Sequence, residues 1–380
     1  MRDDDHGDSV GLACLARTRS CGQGCAVSRQ PLDVAVVGAG VVGLAIAHEL
    51  QHRGARVAVF ERSGIAAGAS GVQPGGVRQQ WGTAIACRLA RESAAFYLRA
   101  DELLRPLVPL GFQSCGYLFV AHSPETLERL VDNIAVQNAE GVPSRLVTPQ
   151  EAAALVPGLR TETLAGGAWC AEDGYFDRPQ GVVEGFARGL EIRIEAVTSP
   201  AELEAGAVVV AAGADTPSLI RGLPIEREDR FLFLSEPIGE RLLEPLVVST
   251  ELRFAAKQLG DGRVLASDLG ARGDESRRES WRANLRAGVE TLLPVLEFVS
   301  FPILVRGEYD VTPDHQPLLG KVRDGLYVAA GFSGHGFMIA PAVARILADE
   351  ILDGRRDDVL SVLDVARFAE RRPVPEPQLV

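Results

Sequence analysis

The stretch Leu32–Glu61, LDVAVVGAGVVGLAIAHELQHRGARVAVFE, decides how this chain folds. Asp33–Val37 reads as a buried strand, Gly38-x-Gly40-x-x-Gly43 as the turn that follows, and the apolar run to about Arg53 as a helix. Val57–Phe60 is a second buried strand, and it ends on an acid, Glu61. Each glycine has its own physical task. Gly38 permits the tight strand-to-helix turn, Gly40 lets a pyrophosphate approach backbone N–H groups, and Gly43 lets the helix lie against the sheet. The first helical residues, Val41 and Val42, then turn the positive end of the helix towards the phosphates. Glu61 lies 23 residues after Gly38, where a carboxylate accepts hydrogen bonds from ribose hydroxyls. Strand, glycines, helix, strand and acid in this order predict a dinucleotide-binding βαβ unit, with a phosphate-free βαβ unit as the alternative. The unit does not say which dinucleotide.

Composition bounds the rest. A chain of 380 residues, 46% apolar, is long enough for two domains around sizeable cores. The net charge of −12 argues against a nucleic-acid surface. Six cysteines (Cys14, Cys21, Cys25, Cys87, Cys115, Cys170) form no C-x-x-C pair and no common zinc spacing. They read as reduced thiols of a cytoplasmic protein with no metal site. No apolar run reaches the length of a membrane span without glycine punctuation. Residues 1–31 are polar, lack the basic start and apolar core of a signal peptide, and read as a disordered extension.

After Glu61, a long Gly-rich loop runs through Ser70, Gly71, Gly75 and Gly76 to Arg78 and Trp81-Gly82. Its small residues let backbone approach a flat, bulky ligand, and a loop this long in a compact domain is usually functional. Ala84 to about Leu104 reads as a helix, Gly111–Ala121 as a strand, and Pro124–Gly141 as an amphipathic helix with Leu127, Leu130, Val131 and Ile134 on one face. Thr148-Pro-Gln-Glu151 is a capping box opening a short helix that Pro157 closes. Ala168–Asp177 reads as strand and turn, Arg178–Leu190 as a helix, and Glu191–Val197 as a strand. Ala207–Ala212 is a continuous apolar run, typical of a buried parallel strand, that delivers Gly213 at its C-terminal end, where such sheets bind ligands. From Phe231 to Val311 the pattern changes to short strands around one helix, Trp281–Leu293, so a mixed or antiparallel second domain is inserted between parts of the first. Gly325–Met338 is one more buried strand breaking into a Gly-rich turn with His335, followed by the helix Ile339–Leu352. The tail Arg371–Val380, with three prolines, reads as frayed.

Together VVGAGVVGLAIAHEL with Glu61-Arg62, GASGVQPGGVRQQWG, VVVAAGAD, and EYDVTPDHQPLLG followed by YVAAGFSGHGF resemble the FAD-dependent amine and amino-acid oxidoreductases, the family that includes D-amino-acid oxidase, glycine oxidase and sarcosine oxidase. The resemblance spans about Leu32 to Gly354. It implies non-covalent FAD, because the positions of the flavin-linking cysteine and histidine of other members are Gly307 and Gln73 here. It places the ADP moiety on Gly38, Gly40, Gly43, Glu61 and Arg62, the adenine on the backbone of Val197, and a second phosphate-side contact on Ala212 and Gly213. Ser70, Gly71, Gly75 and Gly76 match the loop along the ribityl chain and flavin. Gly331 and Gly334, His335, Gly336, Phe337 and Met338 match the turn under the isoalloxazine edge, where backbone N–H groups stabilise negative charge on the reduced ring.

Arg78 matches the arginine that holds the substrate carboxylate in sarcosine-oxidase-like members, and a guanidinium offers a carboxylate a bidentate fork; a structural ion pair or a flavin contact is its other reading. His335 reads as a base or substrate contact, or as a packing histidine. Glu308 and Tyr309 face the substrate in the same reading. Three departures stand out. Tyr309 occupies the position of the carboxylate arginine of glycine oxidase, Met338 that of a lysine, and the lysine that assists reaction with oxygen in some members aligns near Val264.

The expected fold is α/β. A glutathione-reductase-like Rossmann FAD domain is discontinuous (residues 32–108, 150–222 and 312–370), and a mixed or antiparallel β-sheet substrate domain (109–149 and 223–311) is inserted into it. The expected function is oxidation of the C–N bond of an amino acid or secondary amine (proline-like, N-methyl or D-) by hydride transfer to flavin, with O2 or an electron acceptor reoxidising it. A catalytic subunit of a heteromeric dye-linked dehydrogenase and a FAD-binding protein without turnover remain open, as does a homo-oligomer.

Overall fold

Leu32–Val37 and Val57–Glu61 form parallel neighbouring strands, with Val34 opposite Val57, and the helix Val41–His52 connects them. The computed structural model describes residues 31–377; the expected N-terminal extension, with Cys14, Cys21 and Cys25, lies outside the described residues. The βαβ unit is the middle of a six-stranded sheet ordered Leu318–Arg323, Leu326–Ala330, Ala205–Val210, Leu32–Val37, Val57–Glu61, Glu191–Ile194. All pairings in it are parallel except that of the Leu318–Arg323 edge strand. Gly38, Glu61, Gly213 and Gly331 therefore gather at one edge, outside the carboxyl ends of the strands, where open sheets of this kind bind ligands.

The helix Gly336–Asp353 packs on Val41–His52 and on Ala84–Tyr97 through a stripe of alanines and branched aliphatics. Pro341 lies inside it and removes one helical donor, which orphans the carbonyl four residues back. That carbonyl belongs to Phe337, and the buried Tyr97 hydroxyl donates to it. The expected helix Ala84–Leu104 is divided into Ala84–Tyr97 and Ala100–Leu104.

The second sheet has eight strands, ordered Ile303–Val311, Glu226–Leu234, Val264–Asp268, Phe254–Gln258, Leu246–Ser249, Tyr117–Ala121, Gly166–Cys170, Arg145–Val147. It is antiparallel except where Leu246–Ser249 runs parallel to Tyr117–Ala121, the mixed character expected of the inserted region. The helix Arg278–Leu292 covers it with Trp281, Leu285, Val289 and Leu292, and Trp281 stacks on Phe231 at 4.7 Å between centroids.

Four expectations need correction. The boundary at residue 150 is displaced: Gly166–Cys170 pairs with Tyr117–Ala121 and Arg145–Val147, so the stretch through Cys170 belongs to the second sheet. The expected strand Gly111–Ala121 breaks at Gly116, and Phe112–Gln113 joins Gly174–Phe176 and Gly76–Val77 in a small third sheet. Val131 is exposed although Leu130 beside it is buried. The tail is held as far as it is described: Val374 N–H donates to Asp314 at 3.0 Å, and the buried Glu376 carboxylate accepts from Gly82 N–H at 2.7 Å and the Thr83 hydroxyl at 2.8 Å. Three prolines shorten the menu of unfolded states, and a buried carboxylate with three partners outweighs fraying; Gln316 Nε2 is the third, at 3.5 Å.

Candidate active site

A cavity of about 720 Å³ runs from the glycine turn after Leu32–Val37 to the turn that opens the helix Gly336–Asp353. That is large for a ligand pocket and suits a long cofactor with a substrate beside it. Of the expected residues, Gly38, Gly40, Val41, Val42, Glu61, Arg62, Ser70, Gly76, Arg78, Val197, Ala212, Gly213, Tyr309, Gly334, His335, Gly336, Phe337 and Met338 line it. Gly43, Gly71, Gly75 and Gly331 do not. They shape the wall from behind: a Cβ on Gly43 would sit 2.1 Å from the Gly38 carbonyl oxygen, and Gly331 N–H donates to Asp310 Oδ2 at 2.7 Å. Holding that N–H does not neutralise the cost of burial, which pushes the Asp310 carboxyl up to about 6.

At the first end the groups are backbone and one acid. The helix Val41–His52 begins at Gly40, which has no side chain to cap it; Ser70 Oγ accepts from Val41 N–H at 2.9 Å instead. Ser70 thus reaches the helix terminus, nearer the phosphate end than a flavin contact. The Glu61 carboxylate is oriented by Ala39 N–H at 2.9 Å and Ser63 N–H at 2.8 Å, and each of its oxygens keeps a lone pair for a ribose hydroxyl. Val197 lies three residues past the end of Glu191–Ile194 and still lines the cavity. The mouth here carries a chain of ion pairs: Arg62 to Asp215 at 2.7 Å, Asp215 to Arg227 at 2.6 Å, and Arg227 to Glu308 at 2.7 Å. Glu308 is spent on these pairs, while Tyr309 beside it points into the cavity's buried end.

The far end is made of side chains. Arg78 is buried, its Cζ lies 3.9 Å from the Trp81 ring centre, and its Nη1 donates to the Gln80 carbonyl at 2.9 Å. Burial pulls its pKa below the ordinary value, opposed by the charges of Glu376 and Asp173. Trp81 meets His335 edge-on at 4.4 Å. Burial, with Arg78 and Arg230 nearby, holds the His335 pKa well below its usual value, so the imidazole is neutral. Gly334, at φ +89°, gives the turn its left-handed step, and a Cβ there would lie 2.2 Å from the Tyr309 ring. Arg78, Trp81, His335, Gly334 and Tyr309 thus form one packed row.

Sequence reasoning missed Lys257. It sits in the apolar strand Phe254–Gln258, fully buried, with Nζ donating to the Pro74 carbonyl at 2.7 Å and lying 4.2 Å from the Tyr175 ring centre. Burial pushes its pKa down to about 7. The position expected for a lysine, Val264, is a buried core residue on the neighbouring strand; the cavity's lysine is seven residues earlier. Its only sequence signal was a lysine in an otherwise apolar strand. His315 lies in a turn, at φ +59°. Asp314 beside it grips the buried Arg367 through both oxygens at 2.9 Å.

The residues fit FAD. The cavity is long, both helices that begin on it start at residues giving no side-chain cap, and Glu61 is poised at the first end. Among the described residues no cluster has the make-up of a metal site, Cys87, Cys115 and Cys170 are free thiols, and no helix is long and apolar enough to cross a membrane.

A family model described as FAD dependent oxidoreductase matches residues 33–350. The chain is 27% identical to glycine oxidase of Geobacillus kaustophilus over 376 residues, covering 90% of this chain and 97% of that protein. It is 28% identical to sarcosine oxidase subunit beta of Rhodobacter capsulatus, with 85% of each covered. Among solved structures, L-proline dehydrogenase from P. horikoshii matches with a TM-score of 0.83 at 26% identity, covering 91% of this chain and 100% of that one.

Proposed function

The chain belongs to the family of FAD-dependent oxidoreductases, and from that premise we propose that it oxidises the C–N bond of an amino acid or secondary amine, with proline-like, N-methyl or D-amino acids as the substrate class. The observation that carries this reading is the packed row Arg78–Trp81–His335–Tyr309 at the end of the cavity away from Glu61. When bound, FAD would supply the electron sink for a hydride from the carbon beside the substrate nitrogen, the nitrogen's proton would pass to solvent to leave an imine, and O2 or another acceptor would take up the two electrons.

This chain's own residues bind, orient and exclude water. In this reading Arg78 orients the substrate carboxylate, with the plane of its guanidinium set by Trp81 and Gln80. Tyr309 walls the site, and the buried Trp81 packs behind Arg78 and His335 to keep water from them. Neutral His335 offers an acceptor to the substrate ammonium, but its charged form is disfavoured beside two guanidiniums, which favours an amine that binds neutral. Lys257, held against the Pro74 carbonyl of the Gly-rich loop, is the group placed to assist reaction with oxygen.

The similarity to a protein named as a subunit supports a second reading, in which the chain passes electrons to a partner subunit. One assay separates the readings. The FAD-loaded protein is given L-proline, N-methylglycine and D-alanine, with peroxide measured in air and an artificial dye as parallel acceptor. Turnover with peroxide supports an oxidase, and turnover seen with dye alone supports the subunit. No turnover with either acceptor overturns the proposal in favour of a FAD-binding protein without chemistry of its own.

A further inference from the structure

The C-terminal tail reaches the substrate end from behind, for none of its residues lines the cavity. One buried ion pair anchors it. Arg367 grips Asp314 through both carboxylate oxygens at 2.9 Å. Asp314 in turn accepts from Val374 N–H at 3.0 Å and, through its carbonyl, from Glu376 N–H at 3.1 Å. Gly82 has no side chain to block the approach: a Cβ there would lie 2.3 Å from Pro377 Cγ. Glu376, 4% exposed, is thereby delivered to the turn between Trp81 and the helix Ala84–Tyr97. Its carboxylate accepts from Gly82 N–H at 2.7 Å and from the Thr83 hydroxyl at 2.8 Å, and Gln316 Nε2 donates to Thr83 Oγ1 at 3.1 Å.

The turn held in this way is the one that fastens Arg78. Trp81 Nε1 donates to the Arg78 carbonyl at 3.0 Å, Arg78 Nη1 donates to the Gln80 carbonyl at 2.9 Å, and Arg78 Cζ lies 3.9 Å from the Trp81 ring centre. The guanidinium is tied to Gln80 and Trp81, the two residues before Gly82, and it moves where they move. Trp81 passes the constraint on to His335 through their edge contact at 4.4 Å. Glu376 acts by charge as well as by place. Burial lowers the Arg78 pKa, and Glu376 is the largest of the charges that oppose this. A carboxylate from the end of the chain thus offsets part of the cost of burying a guanidinium.

We propose that Glu376 is a positioning residue: it holds the Trp81–Gly82 turn from outside the cavity and, through that turn, sets the orientation of the Arg78 guanidinium. The proposal rests on the reading that Arg78 meets the substrate. Its test uses the full-length, FAD-loaded protein and needs no turnover. Amide hydrogen exchange is followed over residues 78–87, and pyrrole-2-carboxylate and pyrrole-2-carboxamide, which cannot be oxidised beside nitrogen, are titrated in while flavin absorbance is read. Glu376→Ala speeds exchange at Gly82 and its neighbours and weakens the acid about tenfold, while the carboxamide changes by no more than about twofold and FAD stays bound. Glu376→Gln, which keeps the shape and loses the charge, gives a smaller loss for the acid and decides the matter if the alanine variant does not hold FAD. With Arg78→Ala already in place, adding Glu376→Ala costs the acid no more than about twofold further. Unchanged exchange over residues 78–87 would overturn the proposal, as would equal losses for acid and carboxamide. Acid binding that falls with Arg78→Ala but not with the Glu376 variants would also overturn it and leave the reading of Arg78 intact. Acid binding that neither residue affects would overturn that reading, and the positioning role with it.

Discussion

The two ends of the cavity are built by different means. At the Glu61 end the cavity is shaped mainly by backbone N–H groups, a helix terminus and one carboxylate from the thirty residues Leu32–Glu61, with Ser70 reaching in to the helix terminus. The Tyr309 end is lined by the side chains of Arg78, Lys257, Tyr309 and His335, brought together from four separated segments. Holding a nucleotide needs a fixed backbone curve, which a local motif can encode. Receiving a substrate needs charges desolvated at chosen points, which only the assembled fold can provide.

If that contrast is right, damage at the first end abolishes cofactor binding, and damage at the second leaves FAD in place and changes the chemistry. The largest effect is expected from Gly43→Val. Its Cβ falls 2.1 Å from the Gly38 carbonyl oxygen, on backbone that cannot move aside, so the ratio of flavin to protein absorbance should drop to near zero. Full FAD occupancy in that variant would break the comparison.

At the second end, Lys257→Met should slow reoxidation of the reduced flavin by O2 about a hundredfold while substrate reduction of the flavin survives, as stopped-flow absorbance would show. The same variant carries a pH signature. Burial lowers the folded-state pKa of Lys257 from 10.5 to about 7, so between those values the unfolded chain binds the extra proton and stability rises with pH. Removing the amine should flatten that rise in urea unfolding between pH 7 and 10; an unchanged slope would mean that Lys257 is not buried as described.

Arg78→Ala sharpens the comparison within the substrate end. Loss of a charged contact should raise the apparent KM for an amino acid roughly tenfold to a hundredfold with FAD still bound. An unchanged KM would remove Arg78 from carboxylate binding and leave it as support for Trp81. The smallest effect is expected from Tyr97→Phe, which deprives the Phe337 carbonyl of the donor that replaces the one Pro341 lacks. A loss of about 2 kcal/mol in urea unfolding, with KM unchanged, is the expected result.

The same contrast explains what was legible in the sequence. Leu32–Glu61 and Ala207–Gly213 carry their structure in local periodicity and glycine spacing, so strands, crossover helix and sheet edge could all be read from them. The turn Gly331–Met338 was readable for the same reason. Lys257 was not, because a lysine in a short strand ordinarily points to solvent, and only the stacking of the Gly-rich loop above the second sheet buries it. The strand Gly166–Cys170 looked like part of the first domain because its partners Tyr117–Ala121 and Arg145–Val147 precede it, which no local pattern states. Glu376 sat in a proline-rich tail, and its partner Gly82 is 294 residues away.

In the function proposed above, FAD sits along this cavity with an amine-oxidising site at the Tyr309 end. Anaerobic mixing of the FAD-loaded protein with a panel of proline-like, N-methyl and D-amino acids, followed at about 450 nm where oxidised flavin absorbs, tests it most directly. At least one of these classes should bleach the flavin without any added acceptor. Tightly held FAD that no amine or amino acid bleaches would contradict it.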